Sequence, residues 1–148
     1  LYQRAAQLRG GQYDEAHNNL GAVYGKLKNY PKAIQHFQRA LQINPRHAVA
    51  WSNLGRVLLM ANKPAEAAEC FRRSLTINGA NVAAHLSLAN ILIQANKLDD
   101  AEKHAQVVLK LIPGQPDALA LLQRIRKLRT GAPIQPPTSG PPPGKAGP

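Results

Sequence analysis

One feature of this sequence limits its possible folds more than any other: the chain repeats itself every 34 residues. When the stretch 48–81 is shifted by 34 residues in either direction, its apolar and small residues fall on similar residues. The positions that coincide in three copies are Leu20, Leu54 and Leu88; Ala33, Ala67 and Ala101; Leu41, Leu75 and Leu109; and Pro45, Gly79 and Pro113. Self-similarity at this period is typical of a solenoid built from pairs of helices.

Each repeat contains two amphipathic patterns separated by a turn. In the first repeat, apolar residues spaced by three and four positions predict one helix around residues 20–24 and a second over 33–41. Pro31 suits the first turn of the second helix, because no amide partner is needed there. Asn62 and Asn96 occupy the corresponding turns of the next repeats, and asparagine tolerates the left-handed conformation of a helix end. The sequence therefore predicts an all-α fold of stacked helix-turn-helix units.

The period also predicts how the chain is divided. Repeats are expected at 14–47, 48–81 and 82–115, followed by a helix at 116–129 that closes the exposed core. Residues 2–8 match residues 37–43 of the first repeat almost residue for residue, so residues 1–12 are expected to be the second helix of a truncated preceding repeat, with Gly10-Gly11 as the link to the first repeat. The chain is therefore expected to be the C-terminal portion of a longer array. Residues 130–148 hold seven prolines and four glycines, which predicts a disordered tail.

Composition narrows the function classes. The 19 Lys and Arg residues outnumber the 8 Asp and Glu, but the positive charges are spread singly along the chain. The densest cluster, Arg124, Arg126, Lys127 and Arg129, lacks the interleaved aromatic residues that stack on bases, which argues against nucleic-acid binding. The single cysteine, Cys70, cannot form an internal disulfide, and no apolar run approaches the ~20 residues of a membrane span. No cofactor is predicted; the cellular location stays open, with the cytoplasm favoured.

The spacing of the marker residues resembles that of the tetratricopeptide repeat (TPR) family. The markers are Leu20, Gly21, Tyr24, Ala33 and Phe37 in the first repeat, Trp51, Leu54, Gly55, Ala67 and Phe71 in the second, and Leu88 and Ala101 in the third. The resemblance implies a right-handed solenoid in which Gly21 and Gly55 allow the two helices of a pair to approach closely. The third repeat departs from the pattern, with Ala89 in place of the glycine and Ala105 in place of the phenylalanine.

The resemblance also implies a binding surface. TPR proteins commonly bind an extended segment or a helix of a partner in a concave groove lined by the first helices. The residues expected to line this groove here are Asn19, Asn53, Ser87, Arg56, Asn90 and Lys26. The Asn19–Asn53 pair is similar to the asparagine ladder of the O-linked N-acetylglucosamine transferase superhelix, although Ser87 interrupts the series. The expected function is therefore non-catalytic binding of a protein or peptide.

Three other interpretations of the repeats can be compared with the sequence. Chaperone-adaptor TPR proteins hold a C-terminal carboxylate with a set of Lys, Asn and Arg side chains. The matching positions here are Asn18, Ala22, Asn53, Ala83 and Ser87, so only Asn53 is retained and this mode of binding is not predicted. The repeats could instead recruit substrate for an enzyme, such as a glycosyltransferase, whose catalytic domain lies upstream. The half repeat at residues 1–12 could also mediate oligomerisation.

No catalytic or metal-binding residue is predicted. His17 and His85 share one slot of the repeat and His36 and His104 share another; since equivalent slots lie whole repeats apart, we expect no convergence on a single ion. Cys70 has no histidine at a spacing that would lower its pKa, which favours a packing role. The tail segments 133–136 and 141–143 have the extended shape that SH3-like domains bind, but the basic residue of such ligands is not well placed, which favours a linker.

Overall fold

The computed structural model describes residues 2–131, with side chains from residue 13 onward, and this range forms seven α-helices without a strand. The helices are α1 (Tyr2–Lys26), α2 (Tyr30–Ile43), α3 (Ala48–Met60), α4 (Pro64–Ile77), α5 (Val82–Gln94), α6 (Leu98–Leu111) and α7 (Pro116–Thr130). Although α1 is 25 residues long, no helix in the described range is long and apolar enough to cross a membrane. The predicted all-α class is confirmed.

The helices pack as a stack of antiparallel pairs. Helix α1 pairs with α2, α3 with α4 and α5 with α6, and each pair contacts the next through α2–α3, α4–α5 and α6–α7. The first helices α1, α3, α5 and α7 also contact one another in succession, whereas α2, α4 and α6 do not within the described residues. Because the first helices are drawn together and the second helices are spread apart, the stack curves with the first helices on its inner side. This is the predicted repeat solenoid.

Each turn inside a pair contains one residue in the left-handed conformation. These residues are Lys28, Asn62 and Asn96, with φ of 58°, 59° and 57°. At the second turn the amide of Lys63 donates a 2.8 Å hydrogen bond to the carbonyl of Leu58, which satisfies a carbonyl at the end of α3. The turns predicted at Asn62 and Asn96 are confirmed, and the first repeat adopts the same turn with a lysine.

The helices of a pair approach closely where the sequence places its marker glycines. A Cβ added at Gly21 would lie 2.8 Å from the ring of Phe37. One added at Gly55 would lie 2.9 Å from the ring of Phe71 and 3.2 Å from the carbonyl oxygen of Ala67. Real Cβ atoms do not approach other atoms this closely, so only glycine fits at these positions. The predicted role of both glycines is confirmed.

The marker leucine of the first repeat differs from its counterparts. Leu54 and Leu88 are 5% and 2% exposed, whereas Leu20 is 44% exposed, so its expected place in the core is wrong. The cause is the position of α1 at the edge of the stack. Val57, one turn after Leu54, approaches Gly25 of α1, so this face of α3 is covered by the preceding pair. The corresponding face of α1 has no preceding pair among the described residues.

The predicted break at Gly10-Gly11 is also wrong, because α1 runs continuously from Tyr2 to Lys26. Residues 2–12 therefore extend the first helix of the first pair and do not form a separate second helix. Glycine costs about 1 kcal/mol in a helix relative to alanine, but it keeps its amide hydrogen, and no proline is present here to remove one. The predicted disordered tail lies, from residue 132 onward, outside the described residues.

Helix α7 covers the last pair, as expected of a capping helix. Ala118, Leu121 and Ile125 are buried against the core. Leu128, which belongs to the same predicted apolar stripe, is 53% exposed. Arg129 fixes this end by donating hydrogen bonds to Asp99 and, at 2.7 Å, to Glu102. These carboxylates lie on α6, which packs against α7.

Candidate functional site

The inner surface carries a row of hydrogen-bonded polar side chains that joins α1 to α3. The Nδ2 of Asn53 donates to the Oδ1 of Asn18 at 3.1 Å. The Oδ1 of Asn53 in turn accepts from the Nη2 of Arg56 at 3.3 Å. Asn18 is buried, Asn53 is half-buried and Arg56 is exposed. The amide of Asn53 is thus fixed in orientation, and it holds the Arg56 guanidinium toward solvent.

A second polar group lies between α5 and α7. The Oδ1 of Asn90 accepts from the Nη1 of Arg124 at 3.4 Å, and its Nδ2 donates to the carbonyl of Leu86 at 3.1 Å. Both side chains line an open cavity of about 390 Å³, formed by Leu86, Ser87, Asn90, Asp117, Ala120, Leu121 and Arg124. The structure therefore brings the predicted residues Ser87 and Asn90 together and adds Arg124 and Asp117, which the sequence-based prediction missed.

Arg124 could have been found from the period. Arg56, Asn90 and Arg124 are separated by 34 residues each, so the capping helix continues the inner row by one more position. Each arginine donates to the Oδ1 of an asparagine: Arg56 to Asn53 on its own helix, and Arg124 to Asn90 on α5. The resulting surface presents two positioned cations, with Asp117 as an anion beside Arg124.

The two predicted residues nearest the amino end, Asn19 and Lys26, are exposed on α1. The Nδ2 of Asn53 donates to Asn18 of α1, whereas Asn19 is exposed beside it, so the asparagine ladder of Asn19 and Asn53 stays a prediction. Successive residues of a helix are turned by about 100°, which places Asn18 toward α3 and leaves Asn19 beside it in solvent. Asn18 is also the position where the chaperone-adaptor pattern would require a lysine.

The histidines form two pairs that the prediction did not foresee. The Nδ1 atoms of His17 and His36 are 3.0 Å apart, and those of His85 and His104 are 2.8 Å apart. The prediction compared only equivalent slots, but the two different slots of one helix pair, 19 residues apart, face each other. Burial first, and then the neighbouring His85, lowers the pKa of His104; burial and His36 lower the pKa of His17.

Cys70 is buried in α4. Burial is the main cause that raises the pKa of its thiol to about 11, and the neighbouring Glu69 adds to the effect. The thiol is therefore protonated at neutral pH and is a poor nucleophile. This agrees with its predicted role in packing. Within the described range, no three His, Cys, Asp or Glu side chains come together as a group that could hold a metal ion.

Two family models match the sequence. Both carry the description Tetratricopeptide repeat; one covers residues 12–80 and the other residues 58–125. Together they span the three repeats and most of α7. No curated protein matches the chain in sequence.

Solved structures with the same architecture are numerous. The first TPR domain of Spaghetti (RPAP3), bound to the HSP90 peptide SRMEEVD, is 22% identical with a TM-score of 0.76, over 80% of this chain and 94% of that one. The second TPR domain of human RPAP3, in complex with the HSP70 peptide SGPTIEEVD, is 22% identical with a TM-score of 0.74, over 80% and 98%. PilF of Pseudomonas aeruginosa is 27% identical with a TM-score of 0.71, over 78% of this chain and 53% of that one.

Proposed function

The chain belongs to the tetratricopeptide repeat family, and on this basis we propose that it binds an extended peptide segment in its concave groove. The groove is the inner surface formed by α1, α3, α5 and α7. The observation that carries the proposal is the pair of arginines, Arg56 and Arg124, each hydrogen-bonded to an asparagine on this surface. Two structural neighbours are bound to peptides, which supports a peptide as the class of ligand.

The chemistry of the groove favours recognition of a peptide backbone. An asparagine side chain has both a donor and an acceptor, so it can bond to a peptide group whatever side chain that residue carries. Asn53 and Asn90 supply these groups in successive repeats, and Ser87 adds a hydroxyl in the cavity beside Asn90. Asn19 and Lys26 extend the same polar surface along α1 toward its exposed edge.

The charge of the groove favours an acidic segment. Arg56 and Arg124 are exposed and positioned, so a carboxylate that approaches them gains a charge-assisted hydrogen bond without a large loss of side-chain freedom. These two cations occupy different positions from the lysines and arginine of the chaperone-adaptor pattern, where this chain has Asn18, Ala83 and Ser87. We therefore assign an internal acidic segment and not a C-terminal carboxylate as the ligand.

The alternative role as a recruiting module of an enzyme gains no support from the comparisons, because both matching family models describe the repeat itself. The oligomerisation alternative loses its original basis, because residues 2–12 are a continuation of α1 and not a half repeat. The apolar edge of α1 is exposed, so self-association stays a prediction. Light scattering over a concentration series can test it.

A peptide-display selection followed by two matched double variants tests the proposal. Segments of defined sequence are selected on the purified chain, and their Kd is measured by fluorescence anisotropy. We expect Asn53→Ala with Arg56→Ala to raise the Kd at least tenfold. The control, Gln38→Ala with Arg39→Ala, removes the same chemical groups from exposed positions of α2 and should change the Kd less than twofold.

Both double variants should retain wild-type helicity and stay folded under assay conditions, because the apolar core is unchanged; the groove variant should melt at a slightly lower temperature, because the buried Asn18 loses its hydrogen bond from Asn53. The HSP90 peptide SRMEEVD serves as a comparison, and we expect it to bind at least tenfold more weakly than the selected segments. Equal affinity of a selected segment for the wild type and the groove variant would exclude the groove as the binding site. Tight binding of SRMEEVD would show that the carboxylate-holding mode persists despite the altered residues.

A further inference from the structure

The histidine pairs lie outside the groove and have no role in the proposed function. His85 lies on α5 and His104 on α6, and both line a cavity of about 640 Å³ that also contacts α4. The same arrangement occurs between α1 and α2, where His17 and His36 line a cavity of about 510 Å³. We propose that His85 and His104 form a binding site for a divalent transition-metal ion, and that His17 and His36 form a second site of the same kind.

The distance between the paired nitrogens fits two ligands of one ion. Imidazole nitrogens bind such metals at about 2.0–2.1 Å, so two neighbouring ligands at a right angle are about 2.9 Å apart. The observed Nδ1–Nδ1 distances are 2.8 Å in one pair and 3.0 Å in the other. Square-planar or tetragonal coordination is typical of Cu²⁺ and Ni²⁺, and Cu²⁺ is generally bound most tightly of the divalent metals. Tetrahedral Zn²⁺ would require the pair to open by about 0.5 Å.

The hydrogen bonds around His85 leave its Nδ1, the nitrogen that faces His104, without a proton. Its Nε2 lies 2.9 Å from the carbonyl oxygen of Gly79, and because a carbonyl can only accept, Nε2 carries the proton. The equivalent contact in the second repeat confirms this direction: Trp51, in the same slot, donates its indole N–H to the carbonyl of Pro45 at 2.9 Å. The Nδ1 of neutral His85 is then unprotonated, so its lone pair can bind a metal ion. A metal-binding histidine is typically oriented in this way, by a carbonyl that accepts from its other nitrogen.

Metal binding requires the proton between the two rings to move to another nitrogen, and His104 provides one. Since the Nδ1 of His85 is the acceptor, the Nδ1–H of His104 is the donor in the pair. When an ion binds, this proton moves through solvent to the Nε2 of the same ring, and both Nδ1 lone pairs face the metal. No net proton is released from the neutral pair, and water molecules in the cavity complete the coordination. Arg72, Lys97 and Lys103 line this cavity, and Arg39 lines the His17–His36 cavity. Lys103 is paired with Asp100 and Arg72 with Glu69, which reduces their repulsion of a cation, whereas Lys97 and Arg39 oppose its binding.

The fold itself does not require histidine in these slots. The second repeat fills the equivalent positions with Trp51 and Cys70, and its helices pack in the same way. Histidine therefore occupies both slots in the first and third repeats and neither slot in the second. In the first repeat the ring of Tyr24 stacks on His36, with centroids 5.4 Å apart, which fixes the orientation of that ligand. Metal binding explains this joint occurrence.

Calorimetric titration of the tag-free chain with Cu²⁺ tests the inference. At pH 7.4 in a buffer that does not bind metals, we expect two ions per chain with a Kd in the micromolar range, and electron paramagnetic resonance should show nitrogen ligation. His104→Gln should leave one ion, and His36→Gln with His104→Gln should leave none. His47→Asn, a control outside the pairs that keeps the helix N-cap, should leave two.

Two results would overturn the inference. One is a double variant that binds as many ions as the wild type while remaining folded by circular dichroism. The other is a wild-type chain that binds neither Cu²⁺ nor Zn²⁺ below about 1 mM, in which case the pairs serve only as hydrogen bonds. A gain of site provides an independent check: Trp51→His with Cys70→His reproduces the pair in the second repeat and should raise the stoichiometry to three. A stoichiometry that stays at two in this folded variant would count against the assigned geometry.

Discussion

The close contact between Gly55 and Phe71 leads to the most stringent prediction about the core. A methyl group at Gly55 would lie 2.9 Å from the Phe71 ring and 3.2 Å from the Ala67 carbonyl. The third repeat shows how the same site accepts a larger residue: Ala89 replaces the glycine, and Ala105 replaces the phenylalanine. Both alanines are fully buried. The effect of Gly55→Ala should therefore depend on whether residue 71 is phenylalanine or alanine.

The magnitudes follow from three contributions. Overpacking a core typically costs about 1–3 kcal/mol, and the higher part of the range applies here because one of the contacted atoms belongs to the backbone. Alanine in a helix gains about 1 kcal/mol over glycine. Gly55→Ala should thus destabilise the wild type by about 1–2 kcal/mol. Phe71→Ala alone should cost about 3–5 kcal/mol. In that background Gly55→Ala should lie between neutral and stabilising by about 1 kcal/mol, because the ring contact is gone and the helical preference opposes only the 3.2 Å approach to the Ala67 carbonyl.

Urea denaturation of the four proteins, followed by circular dichroism at 222 nm, measures this cycle. The expected coupling free energy between the two positions is about 2 kcal/mol, within the range of residues in direct contact. Ala89→Gly is the matched control in the third repeat, and it should destabilise by about 1 kcal/mol. If Gly55→Ala had the same effect with phenylalanine and with alanine at position 71, the steric account of the marker glycines would be refuted.

Four further outcomes are expected. Ala67→Glu should destabilise by about 2–5 kcal/mol in urea melts, because it places an unpaired charge in the core; an unchanged midpoint would contradict the assigned packing. Leu54→Ala should cost about 2–5 kcal/mol and Leu20→Ala less than about 1 kcal/mol, because only the former is buried; equal costs would contradict the exposed edge of α1. Lys28→Asn should stabilise by roughly 0.5–1 kcal/mol by relieving the left-handed backbone; a loss would contradict that turn. Iodoacetamide should modify Cys70 at pH 7.5 far more slowly in the native than in the urea-unfolded chain, since its pKa is raised to about 11; equal rates would contradict its burial.

The sequence predicts the stack of helix pairs well because the determinants of that fold are local and repeated. Each copy specifies the same turn, the same apolar face and, in two copies, the same glycine, so three segments independently support one interpretation. The prediction failed at the edge of the stack, at Leu20 and at Gly10-Gly11. Burial there depends on what packs against α1, and this is a property of neighbouring segments that the pattern of one repeat does not contain.

The binding groove was predicted only in part, for a geometric reason. The period identifies equivalent positions: it relates Ser87 to Asn19 and Asn53, and Asn90 to Arg56. It does not identify contacts between neighbouring first helices, such as the hydrogen bond from Asn53 to Asn18, because these two residues are 35 positions apart. The histidine pairs were missed because contacts between the two helices of a pair join different slots of the repeat, and a comparison of equivalent slots cannot detect them.

The slot shared by His17, Trp51 and His85 shows how one repeat can combine structure with chemistry. In the two later repeats its side chain donates a nitrogen-bound proton to the carbonyl six residues earlier, in the linker that precedes its helix. Tryptophan and histidine both meet this requirement, so the fold accepts either. Histidine, however, has a second ring nitrogen. Whether this nitrogen becomes part of a metal-binding pair depends on the residue 19 positions later. A metal-binding pair can therefore arise in any repeat of this fold by two substitutions, without a change in the helix packing that the 34-residue period encodes.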